Sequence, residues 1–214
     1  NMFKTLSSCF KSKRLHIGMD EAHMLGKGRY YREHGHVPAG EIIKKHLQKI
    51  CEIAEPYGYD LLVWSDMFIR VWNKGVYYID EMKEVPKDVV GTIPENVIPV
   101  YWDYFHEDQS AYDCMFKIHE QFSDKTWFAG GICGWTGFTP HNKLSIRRSC
   151  EAIKACRSNG INNLFFTMWG DDGAECSYFS QLPALFYLAQ YAKGNRDEGD
   201  IKAKFKRFSG IDFD

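Results

Sequence analysis

The chain has 214 residues, 27 lysines and arginines against 28 aspartates and glutamates, and a 44% apolar composition. That length supports one domain with a sizeable core, expected over residues 1–214, and the near-neutral balance gives no electrostatic footprint for nucleic acid. No apolar run approaches the roughly eighteen residues needed to cross a bilayer, so no membrane partner is expected.

Phe3, Leu6 and Phe10 recur at helical spacing and predict a short amphipathic helix. Arg14–Met19 predicts the first strand, and its end carries two adjacent carboxylates, Asp20 and Glu21, with His16 and His23 nearby. Buried carboxylates are costly unless partnered, which makes this pair a site candidate. A plainer reading is a helix N-cap followed by a first-turn acid. The stretch 26–38 is glycine-rich and polar, as functional loops are. A helix is expected from Ala39, with Ile43, Leu47, Ile50 and Ala54 on one face and Pro56 and Gly58 at its end. Strand two is Asp60–Asp66. The irregular segment 72–95 has room only for a short helix over Ile79–Met82. Val97–Asp103 predicts strand three, with Pro99 forfeiting one ladder bond.

Tyr112, Met115, Phe116, His119 and Phe122 form a helical stripe, and strand four is Thr126–Gly131. Asn142 is expected to cap the next helix, whose face of Ile146, Cys150 and Ile153 stops at Asn159-Gly160. Strand five is Asn163–Trp169. A helix of Leu182, Leu185, Phe186 and Ala189 follows, then a terminal helical tail over about residues 195–214 in which Ile201, Phe205 and Phe208 keep helical spacing. Charges from Lys202 to Arg207 read as its solvated face.

Each strand is a continuous apolar run, which means burial on both faces and a parallel sheet covered by helices. The fold class is therefore α/β, and the pattern fits either an open doubly wound sheet of flavodoxin type or a piece of an eight-stranded barrel. The C-terminal strand ends converge on one face in both. They carry Asp20-Glu21, Trp64-Ser65-Asp66, Tyr101-Trp102-Asp103, Trp135, and Trp169-Gly170-Asp171-Asp172. A single tryptophan is readily core, but an aromatic or an acid at every strand end describes a sugar site: ring faces stack on indole while hydroxyls bond to carboxylates. Gly26-Lys27-Gly28 lacks the third glycine of a dinucleotide fingerprint, so a nucleotide or flavin protein is the weaker reading. His23, His34 and His36 sit without a cysteine or acid at ligand spacing, and no metal is expected.

Seven cysteines, Cys9, Cys51, Cys114, Cys133, Cys150, Cys156 and Cys176, are odd in number and lack a C-x-x-C pair. They read as reduced residues of a cytoplasmic protein. The first thirty residues do not have the layout of a signal peptide, and Asn1 before Met2 reads as a tag remnant.

His16-Ile17-Gly18-Met19-Asp20-Glu21 resembles the His-x-Gly-x-Asp-Glu signature of the family 20 glycoside hydrolases, the β-N-acetylhexosaminidases. Tyr101-x-Asp103 and Trp169-x-Asp171 fall in chain order where that family's later pocket motifs stand. The wording from Trp169 to Glu175, Ala174 included, resembles a bacterial exo-acting N-acetylglucosaminidase branch.

The resemblance covers nearly the whole chain and implies substrate-assisted retaining catalysis through an oxazolinium intermediate, on a terminal β-linked N-acetylhexosamine of a glycan or glycoconjugate, with no cofactor. It implies Glu21 as general acid, Asp20 orienting the acetamide, and Tyr101 donating its hydroxyl to the acetamido oxygen. Trp64, Trp135 and Trp169 become walls and Asp171 a holder of outer hydroxyls, where many relatives carry Glu; Asp103 supports Tyr101 or faces the acetamide.

A family member's barrel has eight strands with the acids on the fourth. The resemblance is thus to strands 4 to 8, the C-terminal portion of a partial (β/α)8 barrel, and self-association through exposed barrel edges is expected. The competing expectation is an inactive fragment or sugar-binding remnant.

Overall fold

The computed structural model describes residues 2–173 and 175–214, so Asn1 and Ala174, both singled out above, lie outside the described residues. Along the chain run α1 (Met2–Cys9), β1 (Arg14–His16), α2 (Arg29–His34), α3 (Ala39–Ala54), β2 (Asp60–Trp64), α4 (Asp66–Arg70), α5 (Lys87–Val90) and β3 (Val97–Trp102). They are followed by α6 (Gln109–Glu120), β4 (Trp127–Gly131), α7 (Asn142–Ser158), β5 (Leu164–Thr167), α8 (Leu182–Ala192) and α9 (Glu198–Ser209), with 3-10 turns at Glu55–Tyr57 and Tyr178–Gln181.

The strands lie in the order β1-β2-β3-β4-β5, each beside its predecessor in the chain. The pairs β1/β2, β2/β3 and β4/β5 are parallel. A flavodoxin-type sheet would reverse its strand order at a switch point. Sequential order with helical crossovers is instead the arrangement of consecutive units of an α/β barrel, so the fold is a partial α/β barrel of five parallel strands with flanking helices.

Several local expectations differ from the structure. The loop over 26–38 contains α2, where Arg29 and Glu33 form an i,i+4 ion pair at 2.6 Å. Ile79–Met82 is not helical, because Tyr77 and Ile79 are drawn into the core; the short helices stand at α4 and α5 instead. Asn142 does not cap α7. His141 takes the cap position, and the Asn142 amide donates to the Ser180 carbonyl at 2.9 Å. Pro99 is accommodated within β3, opposite Val63, and Gly160 supplies the left-handed stop after α7 at φ 69°.

The chain divides into two compact units, Asn1–Trp102 with Cys114–Trp127, and Asp103–Asp113 with Phe128–Asp214. In the first, Leu61 and Val63 of β2, Val97 of β3 and Ile43, Leu47 and Ala54 of α3 form a buried cluster with Met67, Phe68 and Ile93. Burying each such aliphatic side chain contributes about 1.5–3 kcal/mol. Side chains alternate along a strand. The register pairs His16 with Leu62, Leu62 with Ile98 and Trp64 with Val100. The face opposite the cluster therefore carries His16, Leu62, Trp64, Val100 and Trp102. In the second unit, Ile132, Ile153 of α7, and Ala184, Leu188 and Tyr191 of α8 make the core.

Candidate functional site

The pairing of β1 with β2 continues past the strand's last residue: Ile17 N–H donates to the Leu62 carbonyl at 2.8 Å and Trp64 N–H to the Gly18 carbonyl at 3.1 Å. The backbone then becomes left-handed, with φ of 74° at Gly18, 76° at Met19 and 48° at Glu21. Each non-glycine residue in that region costs about 1–2 kcal/mol, and such strain persists only where the surroundings over-determine it. Here Gly18 N–H donates to His16 Nδ1 at 3.1 Å, Glu21 N–H to Asp66 Oδ2 at 3.0 Å, and His23 N–H to the Glu21 carbonyl at 2.7 Å. Both acid side chains point out to solvent. The N-cap reading of Asp20-Glu21 does not hold, since no helix follows until Arg29.

The partner of the Glu21 amide is a carboxylate with no exposure at all: Asp66 is 0% accessible. Burial pushes its pKa up, opposed by the Glu21 amide, the Trp102 indole and the Arg70 guanidinium. Arg70 Nε donates to Asp66 Oδ2 at 3.2 Å, and Arg70 Nη1 to the Gly75 carbonyl at 2.9 Å. The guanidinium also sits 5.6 Å from the Tyr77 ring centroid. A buried carboxylate is tolerable because it is both hydrogen-bonded and charge-compensated.

His16 and Trp64 share one sheet face and touch, with ring centroids 4.2 Å apart and planes at 47°. Burial pushes His16 down to about 4, with Asp20 pulling the other way. The ring is therefore neutral at neutral pH. Because Nδ1 accepts from Gly18, the proton sits on Nε2, which is buried without a hydrogen-bond partner among the described residues.

Tyr101 lies on the other face of β3. It is 0% exposed, stacked on His119 of α6 at 4.8 Å and set edge-on to Phe116 at 5.2 Å. The structure does not bring it to the acid turn. Trp102, one residue on, shares the face of Trp64 and packs on Tyr77 at 4.9 Å.

In the second unit, Asp103 is 2% exposed and closes its own loop. Its Oδ1 accepts from the amides of Phe105 at 2.9 Å and His106 at 3.1 Å, and its Oδ2 pairs with His106 Nδ1 at 2.5 Å. Trp135 and Trp169 meet on Tyr104. Trp169 Nε1 donates to the Tyr104 hydroxyl at 3.1 Å, and the Tyr104 and Trp135 rings stand 5.4 Å apart, edge to face. Trp169 is 40% exposed and Asp171 is exposed.

Reasoning from sequence missed Arg70, Tyr77 and Tyr104 and treated Asp66 only as a strand end. Of these, the i,i+4 spacing of Asp66 and Arg70 was a readable signal. Among the described residues no group of three or more histidines, cysteines or acids gathers to hold a metal, and no helix is long and apolar enough to cross a membrane.

No family model matches the chain. It is similar to Hexosaminidase D of Homo sapiens, with 24% identity over 221 residues that cover 94% of this chain and 42% of that protein. The chain thus spans about two fifths of that relative's length. The similarity supports a hexosaminidase-like, glycoside hydrolase-like relationship.

Proposed function

We propose that the chain is part of a family 20 exo-β-N-acetylhexosaminidase of the bacterial type, acting on terminal β-linked N-acetylhexosamine by substrate-assisted catalysis. The observation that carries the reading is the strained acid turn. Two adjacent carboxylates reach solvent from a left-handed backbone fixed by a buried carboxylate, beside a strand face bearing His16 and Trp64. Strained backbone concentrates where geometry must be held for function.

In this reading Glu21 protonates the leaving oxygen while the acetamido oxygen of the substrate attacks the anomeric carbon. The resulting oxazolinium carries positive charge, which Asp20 stabilises while orienting the acetamide. Water then opens the ring, Glu21 accepts its proton, and configuration is retained; substrate assistance sets this family apart from the two-carboxylate scheme. Trp64, Trp135 and Trp169 are the aromatic sugar contacts and Asp171 a hydroxyl acceptor. Asp103 acts through the loop it closes, and Tyr101 is a packing residue because of the face it occupies. The free cysteines suit a reducing, cytoplasmic setting, and self-association through the edges of β1 and β5 belongs to the same reading.

The test is hydrolysis of a chromogenic β-N-acetylglucosaminide by this chain and by Glu21→Gln. Loss of a general acid lowers the rate about 100- to 10,000-fold. Quenching of tryptophan fluorescence by N-acetylglucosamine with no turnover in either protein would instead identify a sugar-binding remnant. Neither turnover nor quenching rejects the assignment.

A further inference from the structure

We propose that Asp66 is the positioning residue of the acid turn: its carboxylate, held by Arg70, grips the Glu21 amide and fixes the backbone conformation from which Glu21 is presented. The inference rests on the reading of Glu21 as the acid, but its structural content can be tested separately.

Three observations carry it. The contact is long-range in sequence, joining the first residue of α4 to a turn 45 positions earlier at 3.0 Å. Asp66 is also in the place where a carboxylate would serve its own helix, the first turn of α4. Its Oδ2 takes the i,i+4 bond from Arg70 Nε of that helix and also reaches outside it to accept from Glu21 N–H. Finally, the residue gripped is one of three in the described chain with a positive φ that are not glycine, and a second of them, Met19, lies in the same turn. A surface acid could relax away from such a turn. A carboxylate with 0% exposure, whose Oδ2 is held at once by the Glu21 amide and the Arg70 guanidinium, has no solvent to turn towards.

Released from Asp66, residues 18–21 would sample the negative-φ regions that Met and Glu prefer, and the acid would lose its fixed distance to a bound glycoside. A misplacement of about 1 Å costs on the order of 100-fold in rate.

The experiment follows the Glu21 amide by 1H–15N NMR in the wild type, Asp66→Ala and Asp66→Asn, beside kcat and KM on the chromogenic β-N-acetylglucosaminide. We expect Asp66→Ala to move the Glu21 amide signal upfield, to speed its hydrogen exchange at least about tenfold, and to lower kcat about 100-fold with KM little changed. Asp66→Asn keeps an acceptor and should recover part of each change. It also serves as the test variant if Asp66→Ala does not fold.

An unmoved Glu21 amide in folded Asp66→Ala overturns the proposal, as does, where only Asp66→Asn folds, an amide with neither its shift nor its exchange rate changed by loss of the charged acceptor. So does an unchanged kcat in a variant of an active wild type. If the wild type does not turn over and Glu21→Gln changes nothing, the hydrolase reading fails by itself. The response of the amide then still decides whether Asp66 holds the turn.

Discussion

Ser65 Oγ stands 2.7 Å from His119 Nε2, and neither residue is open to solvent. His119 Nδ1 faces the Met115 carbonyl at 2.7 Å, which can only accept, so Nδ1 carries a proton. Burial pushes the histidine down to about 4, so the ring is neutral and Nε2 must accept. That makes the histidine the nearer acceptor of the Ser65 hydroxyl proton, with the Val100 carbonyl at 3.0 Å the other. Tyr77 then donates to Ser65 Oγ at 3.1 Å and accepts from Trp102 N–H at 3.3 Å. The result is a directed chain from the Trp102 amide through Tyr77 and Ser65 to His119, tying β3 to α6 and to the residue that precedes Asp66. Resemblance to a nucleophilic serine–histidine pair is superficial, because no substrate reaches a serine with 2% exposure.

Removing one member strands the others. His119→Phe leaves the Ser65 hydroxyl proton the longer bond to the Val100 carbonyl at 3.0 Å, with the Tyr77 hydroxyl still on the oxygen, and Ser65→Ala leaves a buried imidazole nitrogen unbonded. Each is expected to destabilise the fold by about 1–3 kcal/mol. Urea denaturation should show lower midpoints for both, with an unchanged slope. Because the two residues share one bond, the double variant should cost less than the sum of the singles.

The same histidine sets a pH dependence. Its folded pKa of about 4 lies below the ordinary 6.5, so between those values the unfolded chain binds a proton that the folded chain refuses. Stability is full above about pH 6.5 and falls as pH drops toward 4, by roughly 3 kcal/mol for a shift of this size. His16, lowered in the same way, adds in the same direction. Carboxylates titrate in part of this window too, so the informative quantity is the difference between the wild type and His119→Phe. The variant should lose stability less steeply from pH 6.5 to pH 4.5. Parallel curves would show that His119 titrates normally.

Much of this was legible from sequence because it depends on short-range pattern. Continuous apolar runs gave the parallel strands, Asn159-Gly160 gave the end of α7, and helical spacing gave the buried face of α3. What the pattern could not supply was register. Tyr101, Trp102 and Asp103 are consecutive, and composition makes all three equal candidates for a site. Pairing of Trp64 with Val100 is what puts Trp102 on the face of Trp64 and sends Tyr101 into the helix layer. The bond from Glu21 to Asp66 was hidden for a related reason: contacts 45 residues apart leave no trace in local spacing. The choice between two sheet architectures also needed strand order, which five similar apolar runs do not encode individually.

Arg70 offers a test of how the buried Asp66 carboxyl is compensated. Arg70→Met removes the charge partner and leaves the carboxylate buried, which should destabilise by about 3–5 kcal/mol at neutral pH. The Asp66 pKa is already raised by burial, and loss of Arg70 raises it further. A raised carboxyl makes the folded chain hold a proton that the unfolded chain releases above the usual 3.8, so stability is lost as pH rises through that range. The deficit of Arg70→Met relative to wild type should therefore be small near pH 4 and grow toward pH 7. Chemical denaturation at the two pH values measures it directly, and an equal deficit at both would assign Arg70 a packing role only.

Gly131, the last residue of β4, decides whether the aromatic group of the second unit can form. A Cβ placed there would lie 2.6 Å from the Tyr104 ring and 2.8 Å from that of Trp135. Both are rigid rings, and neither is the loose end of a flexible side chain. Overpacking of this kind costs about 1–3 kcal/mol. Gly131→Ala should accordingly lower the unfolding midpoint and change the near-ultraviolet circular dichroism that reports aromatic packing. Displacing Tyr104 also breaks its bond with Trp169 Nε1, so the fluorescence of a tryptophan two strand ends away in sequence should shift with it. If Trp135 and Trp169 are sugar contacts, KM for the β-N-acetylglucosaminide rises while the acid turn, which lies in the other unit, keeps its Glu21 amide signal. A variant with native stability and unchanged aromatic spectra would mean that the rings yield freely, and that the close packing on Gly131 does not fix their positions.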